Sequence, residues 1–331
     1  MIVVISRLKN SADIIETWVR ANATVADKFV VVDNGSTDGT IGILKLLKAE
    51  GFDIEILEGD PTELLTYQMN HLLEYVKYKY DPDWILPLDD DEIIASDTVQ
   101  DIREHLSSLP AFREYRIRWR VYTLRGNENI MEPCAAKRLG YCFINNQKDF
   151  PVVIISRDVA RSGIRLSAGN HALINYDYQR KQEYISNLPI VYLDELYIAH
   201  YPLRSKEQVI SKFLTGWSNY LVHPLDDKMK ENSYWRKIYE DFKRNRDCVN
   251  NEYLHQIIGL YRQKIYVDNV DEIVWKPVNL RDDAFVMKYS SSDVDWFYNY
   301  MCNTEEIARK LAQENRRKGE PAFNYDFRME D

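Results

Sequence analysis

The first ninety residues alternate between short apolar runs and helical patterns. Short, mainly apolar runs at 2–5, 29–32, 54–57 and 84–88 predict four strands, and the run at 29–32 is rich in β-branched residues. Between them, apolar residues recur at intervals of three and four, which predicts amphipathic helices. This βαβαβαβ order predicts an α/β fold with a mostly parallel sheet and helices on both faces. Ligands bind open sheets of this kind at the carboxyl ends of the strands.

The pattern changes further along the chain. At 113–122 apolar residues alternate with three arginines, which predicts a strand with one buried face and one arginine face. The arginines are expected to be solvated, with a surface for an anionic ligand or for the acceptor as the alternative. From residue 206 onward the pattern is helical and rich in aromatic residues. We therefore expect a sheet domain over 1–205 and a helical C-terminal region over 206–331 that packs on it.

Composition narrows the class of protein. The chain has 331 residues, with 43 Lys and Arg against 52 Asp and Glu, so its formal net charge is −9. This acidic balance argues against a general nucleic-acid binder. No apolar segment is long enough to span a bilayer, and the four cysteines lack the spacing of a zinc site. We expect a cytoplasmic protein, with peripheral association at the inner face of the membrane as the alternative.

The strongest chemical signal is the run of Asp89, Asp90, Asp91 and Glu92 at the end of an apolar strand. Carboxylates this close repel one another and raise one another's pKa. A divalent cation removes that repulsion, and Mg²⁺ or Mn²⁺ binds carboxylate oxygens together with substrate phosphate oxygens. An acidic loop that caps a following helix is the alternative. The position at the end of a strand favours the cation site.

A second signal follows the second predicted strand, where residues 32–40 have the sequence VDNGSTDGT. Asp33 ends a buried strand, so its carboxylate can accept hydrogen bonds from a base or a ribose. The two glycines permit a tight turn. Helix capping alone is the alternative explanation of this segment.

Together these two motifs resemble the family 2 glycosyltransferases with a GT-A fold. In that family the second strand ends in a V-D-D/N-G-S-T-D-G-T stretch and the fourth in an acidic D-x-D motif. Residues 6–10, SRLKN, are similar to the start of one branch of the family, although Ser11 stands where that branch has Glu. Residues 199–208, AHYPLRSKEQ, resemble the H-Y-x-x-R-S-x-E-Q motif of the same branch. The resemblance covers 1–92 and 165–212 and is absent from the C-terminal helices.

The resemblance implies a metal-dependent, inverting transfer of a sugar from a UDP-, GDP- or dTDP-sugar, with Mn²⁺ or Mg²⁺ as cofactor. The implied acceptor is a saccharide or a lipid-linked saccharide, as in surface polysaccharide assembly. The candidates for donor binding are Ser6, Arg7, Asn10, Asp33, Gln68, Asp89, Asp90, Arg204 and Lys212. The candidates for metal binding are Asp89, Asp91 and His200. For Gln68, a plain surface position on an amphipathic helix is an equal alternative.

The general base is the least determined residue. Inverting transfer needs a group that takes the proton from the acceptor hydroxyl. Relatives carry a G-x-x-H-E stretch at a comparable place, and here Ala172 stands where the Glu is expected. The candidates are therefore His171, Asp194 and Glu195, with a purely structural histidine as the alternative for His171.

Two other functions stay open on the sequence. A sugar nucleotidyltransferase shares the nucleotide site and the metal, but such enzymes carry a Gly-rich loop after the first strand, and residues 6–12 contain no glycine. A degenerate, non-catalytic relative that binds a nucleotide sugar is favoured by Ala172. The intact acidic run argues against it, because an unused cluster of carboxylates destabilises the fold.

Overall fold

The computed structural model describes most of the chain, namely residues 1–60, 63–126, 128–143, 151–177, 182–222, 233–258 and 273–317. Its strands are β1 Ile2–Leu8, β2 Lys28–Asp33, β3 Ile54–Glu58, β4 Trp84–Pro87, β5 Glu92–Ala95, β6 Glu114–Val121, β7 Tyr141–Phe143, β8 Pro151–Ser156, β9 Arg165–Leu166, β10 Leu173–Asp177, β11 Gln182–Ile185, β12 Ile190–Tyr192, β13 Tyr197–His200 and β14 Ile273–Trp275. Its α-helices are α1 Ile15–Asn22, α2 Thr40–Ala49, α3 Leu65–Lys79, α4 Ile102–Ser107, α5 Ala135–Arg138, α6 Arg157–Arg161, α7 Lys206–Val222, α8 Tyr234–Arg244, α9 Asn251–Ile258 and α10 Trp296–Arg317.

The main sheet has the strand order β3-β2-β1-β4-β8-β6-β13-β5, and β12 pairs with β6. The first four of these strands are parallel to one another. The strands that follow are mixed, because β8 is antiparallel to both β4 and β6, while β13 is parallel to β6 and antiparallel to β5. The predicted α/β fold class is confirmed, and its parallel character is concentrated in the first ninety residues.

Helices cover both faces of the parallel sheet, as the apolar runs of β1, β2 and β4 require. On one face, Val4 of β1 packs in the same buried cluster as Trp18 of α1. On the other face, Val3 of β1 packs with Met69 of α3. All four side chains are fully buried. Burial of an apolar side chain of this size stabilises a fold by roughly 1.5–3 kcal/mol, so this double packing holds the carboxyl edge of the sheet firmly in place.

The C-terminal region is mainly helical, as the sequence predicts. Helix α7 packs against α8 and α10, with Phe213 5.0 Å from the Trp235 ring. Strand β14 is an addition that the sequence pattern does not predict, and it pairs antiparallel with β7. The division at 205/206 stays a prediction, because α10 also contacts the loops that follow β1 and β2, through the pairs Lys9–Asn303 and Thr37–Asn299. Among the helices in the described ranges, none is both long and apolar enough to cross a bilayer.

Candidate functional site

The acidic run forms a tight turn between β4 and β5, at the carboxyl end of the parallel strands. The Glu92 carboxylate accepts a hydrogen bond from the Asp89 backbone N–H at 2.9 Å. On the other side, Trp18 Nε1 donates to the Asp89 carbonyl oxygen at 2.9 Å. Two side chains from different elements therefore anchor the backbone of this turn, which fixes where its carboxylates lie.

The carboxylates of this turn have strongly shifted pKa values. Burial and the neighbouring carboxylates raise the pKa of Asp89 to about 7. Burial and the Asp91 charge raise the pKa of Asp90 to about 6, and burial together with Asp89 raises the pKa of Glu92 well above its usual range. Burial would also raise the pKa of Asp91, but cationic neighbours hold it well below its usual range. The turn therefore crowds four carboxyl groups together, and among them only Asp91 has a pKa that its cationic neighbours bring below the usual range.

Three cationic or imidazole side chains surround Asp91. His200 and Arg204 belong to the 199–208 stretch that resembles H-Y-x-x-R-S-x-E-Q, and Lys212 follows it in α7. Lys212 Nζ lies 3.1 Å from Asp91 Oδ2, and His200 Nε2 lies 3.4 Å from Oδ1. Arg204 Nη1 lies 3.7 Å from Asp91 Oδ2. The same guanidinium makes a bidentate pair of hydrogen bonds with the buried carboxylate of Asp13. The end of β13 and the start of α7 therefore deliver the predicted Arg204, Lys212 and His200 to the acidic turn.

Trp119 of β6 links the two histidines of the site. Its ring centroid lies 4.2 Å from that of His200 and 5.3 Å from that of His171, and its Nε1 donates to Glu92 Oε1 at 2.6 Å. His171 Nδ1 lies 2.9 Å from the Pro151 carbonyl oxygen. A carbonyl only accepts, so Nδ1 carries the proton and Nε2 the lone pair. Burial lowers the pKa of His171, which favours the neutral imidazole.

The loop that precedes His171 reaches the acidic turn. Gly169 has φ +71°, and a Cβ placed there would lie 2.6 Å from His171 Nε2, so only glycine accommodates this close approach. The next residue, Asn170, places its Nδ2 3.4 Å from Asp89 Oδ1. The predicted His171 is therefore part of the same region as the carboxylates.

The predicted donor residues of β1 and β2 form a hydrogen-bonded edge beside this turn. Arg7 Nε donates to Gln68 Oε1 at 2.8 Å, and Gln68 Nε2 donates to Asn34 Oδ1 at 2.9 Å. Gln68 is buried, so it is not a plain surface residue. Asp33 accepts from the Ser36 backbone N–H at 3.1 Å, which shapes the turn after β2.

Two further donor candidates lie at the same edge. Asn10 Oδ1 accepts from the Thr37 backbone N–H at 2.7 Å and so joins the loops after β1 and β2. Ser6 is fully buried, and its hydroxyl finds no hydrogen-bond partner within the described ranges. Asp90, in the acidic turn, accepts from the Ser11 hydroxyl, which ties the turn to the loop after β1.

Asp194 and Glu195 are not brought to this site. They precede β13, whose other end carries His200, and an extended strand advances about 3.3 Å per residue. Asp194 forms an ion pair with Arg118, and Glu195 lies 2.6 Å from His105 Nε2. As a correction to the expectation from sequence, neither carboxylate is in position to act at the acidic turn.

The carboxylate oxygens at the turn suit a hard divalent cation that takes its other ligands from the substrate. In the part of the chain that the structure describes, no three His, Cys, Asp or Glu side chains are arranged to enclose a metal ion. Mg²⁺ is commonly held by one or two carboxylates plus substrate phosphates rather than by an all-protein cage. Asp89, with its raised pKa, and Asp91 match that arrangement.

Comparisons with solved structures find distant likenesses. Staphylococcus aureus TarS 1–349 in complex with UDP is 15% identical, over 97% of this chain and 93% of that chain, with a TM-score of 0.39. S. aureus TarS itself is 15% identical at a TM-score of 0.40, over 80% of this chain, which spans 49% of that protein. The mannosyltransferase PcManGT from Pyrobaculum calidifontis, in complex with GDP-Man and Mn²⁺, is 18% identical, over 36% of this chain and 35% of that chain, with a TM-score of 0.28.

The family assignment comes from sequence. No curated protein matches the chain. The family model described as Glycosyl transferase family 2 matches residues 3–156, a range that holds the turn after β2, the acidic turn and Trp119. Residues 3–156 therefore form a glycosyl transferase family 2 domain, which makes up just under half of the chain.

Proposed function

We propose that the enzyme transfers a sugar from a nucleotide-sugar donor, with Mn²⁺ or Mg²⁺ as cofactor and with inversion at the anomeric carbon. One observation carries the proposal: carboxylates crowd at the carboxyl edge of four parallel strands, with the pKa of Asp89 raised to about 7 by burial and by its neighbours. This charge is unfavourable unless a cation binds there. UDP-, GDP- and dTDP-sugars are the candidate donors.

Asp89 and Asp91 are the proposed metal ligands. A divalent cation there would stabilise the charge that develops on the departing nucleoside diphosphate. His200 and Arg204 hold the Asp91 carboxylate in place through their contacts of 3.4 and 3.7 Å, and His200 stays a prediction as a third ligand. Lys212, 3.1 Å from Asp91, adds positive charge beside the diphosphate position.

The nucleoside is proposed to bind along the ends of β1 and β2. Asp33 offers carboxylate oxygens to its hydroxyl or N–H groups. Arg7 is half-buried, and Gln68 fixes the direction of its guanidinium through a hydrogen bond of 2.8 Å. Ser6 and Asn10 complete this edge.

His171 is the proposed general base. Because Nδ1 donates to the Pro151 carbonyl oxygen, Nε2 is the nitrogen that accepts the proton of the acceptor hydroxyl. The acceptor oxygen then bonds to the anomeric carbon as the bond to the diphosphate oxygen breaks. Asp194 and Glu195 take no part, since Asp194 pairs with Arg118 and Glu195 contacts His105, away from the acidic turn.

A saccharide or a lipid-linked saccharide is the proposed acceptor, and the cytoplasm, or the inner face of the membrane, the proposed location. The arginines of β6 are not free to bind an anionic group of the acceptor. Arg118 is paired with Asp194, and Arg120 lies 2.8 Å from Asp97. Acceptor binding is therefore expected nearer to His171 than to this face.

A thermal-shift panel tests the proposal. UDP, GDP, dTDP and CMP are each added with and without Mn²⁺, since a ligand that binds only the folded state raises the melting temperature. We expect one nucleotide to raise it only when Mn²⁺ is present. Asp89→Asn should abolish this shift without loss of basal stability, whereas the matched control Asp194→Asn should keep it. Absence of any shift in the wild type contradicts the proposal.

Turnover separates a transferase from a non-catalytic relative. The wild type should release nucleoside diphosphate from the sugar conjugate of the nucleotide that binds. Asp89→Asn should release none above background, and Asp194→Asn should match the wild type. Binding without release would support the non-catalytic alternative.

A further inference from the structure

The C-terminal helix α10 contacts the edge where the donor is proposed to bind, although it lies far away in the sequence. Lys9 Nζ donates to Asn303 Oδ1 at 2.6 Å, across a sequence separation of 294 residues. One turn earlier in the helix, Thr37 Oγ1 donates to Asn299 Oδ1 at 3.2 Å. Both partners belong to the loops that follow β1 and β2.

Two further residues of α10 extend this contact. Lys310 Nζ lies 2.8 Å from Asp60 Oδ1, and a Cβ placed on Gly35 would lie 2.6 Å from Glu306 Oε2. Spacings of four, three and four residues place side chains on one face of a helix. The face that α10 presents to this edge is therefore polar, and it consists of Asn299, Asn303, Glu306 and Lys310.

Asn303 is the residue of this face whose hydrogen bonding is incomplete. Its side chain is fully buried. Because the Lys9 ammonium can only donate, the amide oxygen of Asn303 must face it, which leaves Nδ2 as the remaining group. Among the described residues, that Nδ2 has no hydrogen-bond partner, and the same holds for Nδ2 of Asn10, the neighbour of Lys9. Buried donors in native proteins are nearly always paired.

Two unpaired buried donors at one edge indicate a ligand that carries acceptor oxygens. Resting on the proposed function, we propose that α10 forms one wall of the donor pocket and that Asn303 donates from Nδ2 to an oxygen of the donor nucleoside. Glu306 and Lys310 flank this amide, with side chains 31% and 27% exposed. Long side chains with this exposure can swing outward and admit the nucleoside.

The substitution Asn303→Asp isolates the proposed bond. It keeps the shape of the side chain and the acceptor for Lys9, but it replaces the Nδ2 donor with an oxygen. Gln313→Glu is the matched control, because it makes the same chemical change at an exposed position of the same helix. The affinities of UDP, GDP and dTDP in the presence of Mn²⁺ are measured by calorimetry, alongside the melting temperature of each variant.

We expect Asn303→Asp to lower the affinity for the nucleotide by about ten- to a hundredfold, because a carboxylate oxygen then faces an acceptor oxygen of the nucleoside. The melting temperature should stay unchanged or rise, and Gln313→Glu should bind as the wild type does. The loss should be equal for the nucleoside monophosphate and the diphosphate. A loss confined to the diphosphate would place the contact at the phosphates and overturn the assignment to the nucleoside.

The failures of the two proposals are distinguishable. If the wild type binds a nucleotide and Asn303→Asp binds it equally well, the role of Asn303 is refuted and the proposed function stands. If the wild type binds no nucleotide, both fall. If Asn303→Asp does not fold, hydrogen exchange on the wild type decides. Nucleotide should slow exchange in 296–317 as well as in 33–39, and unchanged exchange in α10 overturns the inference.

Discussion

A buried ion pair between Asp13 and Arg204 lies next to the acidic turn. Removal of this pair tests how much it contributes to the stability of the fold. Arg204 donates from Nε to Asp13 Oδ2 at 2.6 Å and from Nη2 to Oδ1 at 2.9 Å. The side chains are 5% and 1% exposed. The same guanidinium lies 3.7 Å from Asp91. The substitution Asp13→Ala therefore leaves a buried positive charge whose remaining partners are the Tyr201 carbonyl oxygen at 3.1 Å and the more distant Asp91 carboxylate.

The expected loss follows from these contacts. A hydrogen bond to a charged partner contributes roughly 1.5–3 kcal/mol, so two lost bonds correspond to about 3–6 kcal/mol. Asp91 offsets part of this. We expect Asp13→Ala to lower the free energy of unfolding by about 3–5 kcal/mol, as for other broken buried pairs. For a chain of 331 residues, this corresponds to a fall in melting temperature of roughly 4–7 °C.

Urea denaturation followed by tryptophan fluorescence measures this loss. The control is the exposed pair Arg281–Asp283, whose side chains are 70% and 65% exposed, and Asp283→Ala should cost less than about 1 kcal/mol. Combining Asp13→Ala with Arg204→Met should cost less than the sum of the two single losses, because no uncompensated charge remains. A loss below about 1 kcal/mol for Asp13→Ala, or strict additivity in the double variant, would refute the reasoning.

Three other experiments examine separate parts of the site. The affinity for Mn²⁺ should rise about tenfold per pH unit up to the pKa of Asp89, about 7, because a proton competes with the metal for this carboxylate at lower pH. A flat pH profile in titration calorimetry contradicts this. Gly35→Ala should cost roughly 1–2 kcal/mol in urea denaturation, because φ is +80° there. Adding Glu306→Ala should restore little of that stability, and full recovery would show that the side-chain contact dominates. His171→Gln should lower kcat by about 10²- to 10⁴-fold without changing nucleotide affinity, and the wild-type kcat should fall only below the pKa of His171, which burial lowers. An unchanged kcat in the variant rules out this base.

The parallel half of the fold follows from local patterns. Strands that are buried on both faces need continuous apolar runs, and the runs at 2–5, 29–32 and 84–88 correspond to β1, β2 and β4. The run at 54–57 contains Glu55 and corresponds to β3, which lies at the edge of the sheet. Polar segments after such strands meet at one edge of the sheet, which is why the turn after β2 and the acidic turn could be placed together.

Other features depended on neighbours that are remote in the chain. Strand β14 has three residues, too few for a periodic signal, and it forms because β7 lies beside it. Asp194 precedes His200 closely in sequence, yet an extended strand separates their positions. Gln68 looks like any polar residue of an amphipathic helix until Arg7 and Asn34 are found beside it.

Residue order alone therefore identifies the sheet, the two motifs and the type of chemistry, because each depends on residues that are close in sequence. The partners of each polar side chain depend on long-range packing. Asp91 receives its cationic neighbours from residues 200–212, and Lys9 meets Asn303 from the far end of the chain. A buried polar group is stable only beside a complementary one, and complementary groups are brought together by the packing of whole helices on the sheet.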